Sequence, residues 1–153
     1  MPSVTVLTYG TFDLFHIGHV FLLRRLRDLG GRLVVGCSTD EFNAVKGKNT
    51  ILPYNQRVEV LRSCRYVDDV FPETTWEQKR EDVFRTEAGI FGMGDDWAGK
   101  FDHLSDIVKV VYLPRTQDVS TTEIRQLVNA LHIEKLAELK AVVERLTTIV
   151  RRF

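Results

Sequence analysis

Two histidines three residues apart, in His16-Ile-Gly-His19, are the residues of this chain best placed to do chemistry. They follow an apolar run, Val4-Thr-Val-Leu-Thr-Tyr9, and the turn Gly10-Thr-Phe-Asp13. At the far end, Arg115-Thr-Gln-Asp-Val-Ser-Thr-Thr122 follows a second apolar run, Ile107 to Leu113, and precedes a helix-like stretch. Each segment reads as strand, turn and helix start. The free N–H groups of a helix start make it an anion site. Together the two segments point to phosphoryl chemistry on a nucleoside triphosphate.

The spacing suits that chemistry. At a helix start, His16 and His19 can turn both rings to one phosphate chain, and Gly18 leaves room for close backbone approach. An imidazole can donate hydrogen bonds to charge developing on phosphate oxygens, which is most of what in-line nucleotidyl transfer asks of a protein. Arg115 offers a planar fork and Thr116 a hydroxyl. Ser120, Thr121 and Thr122 have capping-box spacing to Glu123 and offer donors to the β- and γ-phosphates. Alone, either half would be an ordinary helix cap; the pairing of both favours function.

The elements that must position these residues alternate. Val4–Thr8, Arg32–Cys37, Val67–Phe71, Gly89–Met93 and Val108–Leu113 read as strands, and His19–Leu29, Asn55–Cys64, Trp76–Thr86 and Ser120–Leu131 as helices. The expected fold is α/β: a single Rossmann-like domain, a parallel sheet of about five strands with helices on both faces, and a C-terminal amphipathic helix. Ligands of such sheets sit beyond the carboxyl ends of the strands, where both motifs fall.

Composition narrows the partners. Lys+Arg and Asp+Glu are 21 each, so no overall field draws the chain to nucleic acid or to a membrane. Any anion site must be local. Cys37 and Cys64 lie inside regular elements and read as reduced thiols rather than a disulfide. With no leader-like or long apolar segment, a cytoplasmic protein is expected.

The chain resembles the glycerol-3-phosphate cytidylyltransferase family of the H-x-G-H nucleotidylyltransferase superfamily. The resemblance rests on Thr8-Tyr-Gly-Thr-Phe-Asp13, His16-Ile-Gly-His19, Ser38-Thr-Asp-Glu-Phe-Asn43 and Arg65-Tyr-Val-Asp68. It continues through Trp76-Glu-Gln-Lys79, Met93-Gly-Asp-Asp-Trp97, Gly99-Lys-Phe-Asp102, Tyr112-Leu-Pro-Arg-Thr116 and Ser120-Thr-Thr122. The histidine and Ser-Thr-Thr pieces are shared across the superfamily. The two tryptophan-containing pieces are more particular to the glycerol-phosphate enzymes.

The resemblance implies direct displacement on CTP by sn-glycerol 3-phosphate, giving CDP-glycerol and pyrophosphate. It implies catalytic roles for His16, His19, Lys46 and Arg115. For CTP it implies Tyr9, Gly10, Thr11, Phe12, His16, Gly18, His19, Lys48, Asp96, Arg115, Thr116, Ser120, Thr121 and Thr122. For the acceptor it implies Lys46, Arg57, Trp76 and Lys79. Mg²⁺ is expected with the nucleotide, with no protein metal ligand assigned. Asp13 and Asp96 end strands, where a carboxylate could orient a histidine, contact a ribose or hold Mg²⁺ through water. Where the family often has Gly, this chain has Asp118, whose carboxylate must point away from phosphate. By resemblance, the product feeds wall or capsule polymers.

Two alternatives stand beside this expectation. One is a cytidylyl- or adenylyltransferase for an amino-alcohol phosphate or a sugar phosphate. The other is a non-catalytic nucleotide-binding module, against which the intact His16, His19, Lys46, Arg115 and Ser120 argue. The nucleotide-binding domain is expected to span residues 1–131. In residues 132–153, Ile133, Leu136, Leu139, Val143, Leu146, Val150 and Phe153 form one apolar stripe, and a homodimer packed through this helix is expected. Arg151 and Arg152 are too few for stable membrane anchoring.

Overall fold

The β-branched runs become strands because their side chains suit a pleated surface covered on both faces. The computed structural model describes residues 3–115 and 121–151. The elements are β1 (Val4–Gly10), α1 (Ile17–Asp28), β2 (Gly31–Ser38), α2 (Asp40–Val45), α3 (Tyr54–Ser63), β3 (Asp69–Glu73), α4 (Lys79–Arg85), β4 (Ala88–Gly94), β5 (Lys109–Leu113) and α5 (Thr121–Val150). Two 3₁₀ turns, Asp95–Trp97 and Asp102–Leu104, lie between β4 and β5. The sheet is parallel throughout, in the order β3-β2-β1-β4-β5. The expected Rossmann-like sheet is therefore present.

Strand order reverses at β1. The first crossovers run outward to β2 and β3, and the chain then returns to β4 on the other side of β1. This opens a crevice beyond the carboxyl ends of β1 and β4. Alternation along the strands divides the core between the two faces. Val6, Leu33, Val35 and Ile90 pack with Leu23 and Leu26 of α1 and with Val58 and Leu61 of α3. On the other face Leu7, Tyr9, Val34 and Phe91 pack with Val83 of α4 and with Phe101 and Leu104. Leu23 and Leu26 are fully buried, and burying each contributes about 1.5–3 kcal/mol.

Strand bounds shift by a residue or two, as in β3, which runs Asp69–Glu73 rather than Val67–Phe71, and three departures among the helices packed on the sheet bear on the site. α1 begins at Ile17, with His16 as its N-cap, so both histidines belong to the helix start. α4 begins at Lys79 rather than Trp76, because the Gln78 side-chain carbonyl accepts the backbone N–H of Thr74 (2.6 Å) and Thr75 (3.0 Å) and holds the preceding segment as a loop. α2 was not expected. It is six residues long, too short for a periodicity to register, and is capped by Thr39 accepting from Phe42 N–H at 3.1 Å.

The sheet with its helices and the C-terminal helix are two compact units. In the second, the stretches expected over 120–131 and 133–153 form one helix, α5, unbroken from Thr121 to Val150. Leu136, Leu139, Val143, Leu146 and Val150 are each more than half exposed on it. Cys37 and Cys64 are free thiols, the first buried. Among the described residues no helix is long and apolar enough to cross a membrane.

Candidate active site

The histidines are built into the cap of α1. His16 Nδ1 accepts the N–H of Gly18 at 3.0 Å, and His19 Nδ1 accepts the N–H of His16 at 3.3 Å. Two imidazoles thus complete a reciprocal capping box, a place usually taken by hydroxyl and carboxylate groups. Their rings stack with centroids 4.0 Å apart, and Phe12 and Phe15 contact the ring of His19.

A nitrogen that accepts a backbone N–H carries no proton, so this network assigns the neutral-ring proton of both histidines to Nε2. Burial pushes the His19 imidazole down to about 4, the neighbouring His16 adds to this, and Asp13 opposes it. Burial also lowers His16. At neutral pH the pair is therefore two uncharged Nε2–H donors with fixed orientation. That suits stabilising charge on phosphate oxygens without a covalent intermediate.

The turn before them is held from two sides. The Asp13 carboxylate accepts from the backbone N–H of Ile51 (2.7 Å), Leu52 (2.9 Å) and Leu14 (3.1 Å), tying the β1–α1 turn to the loop after Lys48. Thr11 Oγ1 donates to Asn43 Oδ1 at 2.9 Å. A Cβ on Gly10 would meet the Phe12 ring at 2.6 Å, so any other residue there would have to displace that buried ring. Phe12 itself is buried in the core, with a φ of +52°.

The basic residues assemble beyond the same sheet edge. A cleft of about 630 Å³ is lined by Lys46, Lys48, Lys79 and Lys100, with Trp76 and Trp97 among its walls. The two indoles are 5.9 Å apart. Lys79 Nζ lies 2.6 Å from Glu73 Oε2 and also over the rings of Tyr9 (4.5 Å) and Trp76 (4.8 Å). Lys46 Nζ donates to Ser38 Oγ at 3.1 Å and lies 3.6 Å from Glu73 Oε1 and 4.4 Å from the Phe42 ring. Burial lowers Lys46, and Lys48 and Lys79 add to this while Glu73 opposes it. At the end of β5, Arg115 forms a fork on Asp96 Oδ2, with Nη2 at 2.8 Å and Nε at 3.0 Å.

Each group follows a strand end. The histidines come after β1, Lys46 and Lys48 after β2, Trp76 and Lys79 after β3, Asp96, Trp97 and Lys100 after β4, and Arg115 after β5. Besides Phe12, which lies in the core, two expected site residues are placed elsewhere. Tyr9 is a core residue whose hydroxyl donates to Asp82 at 2.7 Å, and burial with that carboxylate beside it holds the hydroxyl protonated. Arg57 is 1 % exposed and donates to the carbonyls of Leu52, Thr11 and Ser38 and to Asp40. It does not line the cleft. Thr116, Asp118 and Ser120 lie outside the described residues; Thr121 and Thr122 form the first turn of α5.

Sequence reasoning missed Glu73, Ser38, Lys100, Phe101 and His103. Glu73 could have been found as a carboxylate closing an apolar strand on its ligand edge. Lys100 and Phe101 lie inside a motif already quoted for the resemblance. Ser38 likewise opens a segment that carries the resemblance, Ser38-Thr-Asp-Glu-Phe-Asn43, whereas nothing local marks His103.

Comparison with known proteins agrees with this geometry. The sequence model of the cytidylyltransferase-like family matches residues 7–127. The glycerol-3-phosphate cytidylyltransferase of Bacillus subtilis is 54 % identical over 121 residues, covering 79 % of this chain and 94 % of that protein. Its Staphylococcus aureus counterpart is 52 % identical, covering 79 % and 92 %. Among solved structures, the lipopolysaccharide core biosynthesis protein of Thermoplasma volcanium matches with a TM-score of 0.68 at 24 % identity, covering 75 % of this chain and 99 % of that one, and shows the shared fold. On the extent of the family match and the identity to these relatives, the chain belongs to the glycerol-3-phosphate cytidylyltransferase family of the cytidylyltransferase-like proteins.

Proposed function

We propose that the chain transfers the cytidylyl group of CTP to sn-glycerol 3-phosphate. A phosphate oxygen of the acceptor forms a bond to the α-phosphorus, the bond from that phosphorus to the β-phosphate oxygen breaks, and pyrophosphate leaves. The observation that carries this reading is the convergence of the neutral histidine pair and the four-lysine, tryptophan-walled cleft on one sheet edge. A phosphate monoester loses its second proton at about pH 6, so the nucleophile needs no general base at neutral pH. Bringing it to a triphosphate is instead a problem of charge and placement.

The residues divide that task. Lys46 and Lys79 hold the acceptor phosphate and Trp76 covers it. Lys48 and Arg115 take the triphosphate, with Thr116, Ser120, Thr121 and Thr122. The Nε2–H groups of His16 and His19 stabilise charge at the α-phosphate and the leaving oxygen. Mg²⁺ would come in with the nucleotide and offset part of its phosphate charge. The carboxylates beside the site fit that arrangement, because Asp13 is committed to three backbone N–H groups and Glu73 to Ser38 and Lys79.

Pyrophosphate release from CTP, measured against glycerol 3-phosphate, phosphoethanolamine, phosphocholine and a sugar phosphate, tests the reading. Turnover with another acceptor alone would keep the chemistry and discard the named substrate. The product, an activated glycerol phosphate, would supply wall or capsule polymer synthesis in the cytoplasm. The exposed stripe on α5 supports a homodimer in which this helix packs on its counterpart in a second copy. Light scattering of the full chain and of a truncation after Leu131 tests this. An unchanged dimer would remove the helix from the interface, and a monomeric full chain would remove the dimer.

A further inference from the structure

Glu73 is 3 % exposed, closes β3, and among the described residues is the one carboxylate that both Lys46 and Lys79 approach. The two contacts are unequal. Oε2 receives Lys79 at 2.6 Å, whereas Oε1 receives the Ser38 hydroxyl at 2.5 Å and has Lys46 only at 3.6 Å. Lys46 in turn donates to the Ser38 hydroxyl at 3.1 Å. Two ammonium groups thus share one carboxylate, leaving a surplus positive charge in a nearly dry place. Buried ion pairs contribute little to stability once desolvation is counted, and an unbalanced one is worse. That surplus attracts an arriving phosphate.

We propose that Glu73 is a positioning residue for the acceptor site. It sets both cleft ammonium groups in place before substrate arrives, keeps Lys79, and releases the loosely held Lys46 to the incoming phosphate. This rests on the function proposed above. Lys48 and Lys79 push on the Lys46 charge, and Glu77, Lys100 and His103 line the same cleft. Glu73 is the group that opposes that push. Without its charge, Lys46 loses its proton at lower pH and the cleft loses affinity for a dianion as pH rises.

The test uses the full chain and begins with wild type, CTP and glycerol 3-phosphate. No pyrophosphate release there would overturn the functional reading itself, whatever Glu73 does. Given wild-type turnover, Glu73→Gln is expected to raise the acceptor KM by about tenfold or more, increasingly toward alkaline pH, with a much smaller change in the CTP KM. Competitive acetylation of Lys46 across pH, read by mass spectrometry without any turnover, is expected to show its midpoint moved down. Glu73→Asp keeps the charge on a shorter arm, so its Lys46 midpoint should stay near wild type while the acceptor KM rises. That variant still decides the matter if Glu73→Gln does not fold. A wild-type acceptor KM and Lys46 midpoint in Glu73→Gln would overturn the proposal. So would an equal loss for both substrates, or a lowered midpoint in Glu73→Asp.

Discussion

Arg57 is the residue whose placement most changes what a substitution should do. Its guanidinium is fully buried, and Nε, Nη1 and Nη2 donate to Leu52 O (3.0 Å), Thr11 O (2.8 Å), Ser38 O (2.8 Å) and Asp40 Oδ1 (2.7 Å). These partners come from the turn after β1, the end of β2, the start of α2 and the loop before α3. Replacing Arg57 with Met keeps much of the volume and removes every donor. The three carbonyls lose their charged donor, and only weak second donors remain on two of them, the Cys37 thiol on Thr11 O (3.8 Å) and the Asn43 amide on Ser38 O (3.5 Å). Each loss costs about 1–3 kcal/mol if water cannot reach the site. Asp40 is 42 % exposed at its side chain and rehydrates, so it adds little. The sum is about 3–9 kcal/mol, of the order of the whole stability of a domain this size. At about 2–4 °C per kcal/mol, even the lower figure is a fall of roughly 6–12 °C in Tm. Calorimetry and urea unfolding measure it directly, and Arg57→Lys should recover only part of the loss because one ammonium cannot reach all four acceptors. If Arg57→Met unfolds within about 2 °C of wild type, the organising role is refuted and Arg57 returns to the acceptor as a direct ligand.

Three further outcomes follow from the site. His19→Ala is expected to lower kcat by about 10²–10³ with a smaller effect on substrate KM, since it removes a preorganised donor; near-normal turnover would exclude that role. In an NMR titration His19 should protonate at about pH 4, well below an ordinary histidine. Because the unfolded chain binds that proton near 6.5, the contribution of His19 to stability is complete above 6.5 and is lost as pH falls toward 4, by up to about 3 kcal/mol. Urea midpoints of wild type and His19→Asn from pH 7 to pH 4 test the sign: the wild type should lose more. Lys46→Ala should raise the acceptor KM with less effect on CTP, and equal losses would place Lys46 on the nucleotide.

Much of this molecule could be read along the chain because its signals are local. A β-branched run, a glycine turn and a helix cap each involve residues that are neighbours in sequence. So the five strands, the helix start at His16–His19 and the parallel architecture were all legible, and so were the lysines beyond the ends of β2 and β3. What the sequence could not decide was which way a given side chain faces. Tyr9 and Gly10 are adjacent, yet only Gly10 shapes the turn; Tyr9 enters the core to meet Asp82, because alternation along β1 sends it to the α4 face. Arg57 and Lys79 looked alike as basic residues on helices. The fold surrounds Arg57 with three carbonyls from distant segments and lays Lys79 along a cleft wall against Glu73. Burial and hydrogen-bond partners are set by elements far apart in the chain. Those long-range neighbours, rather than residue type, divide the cations into one that holds the fold together and several that face an anion.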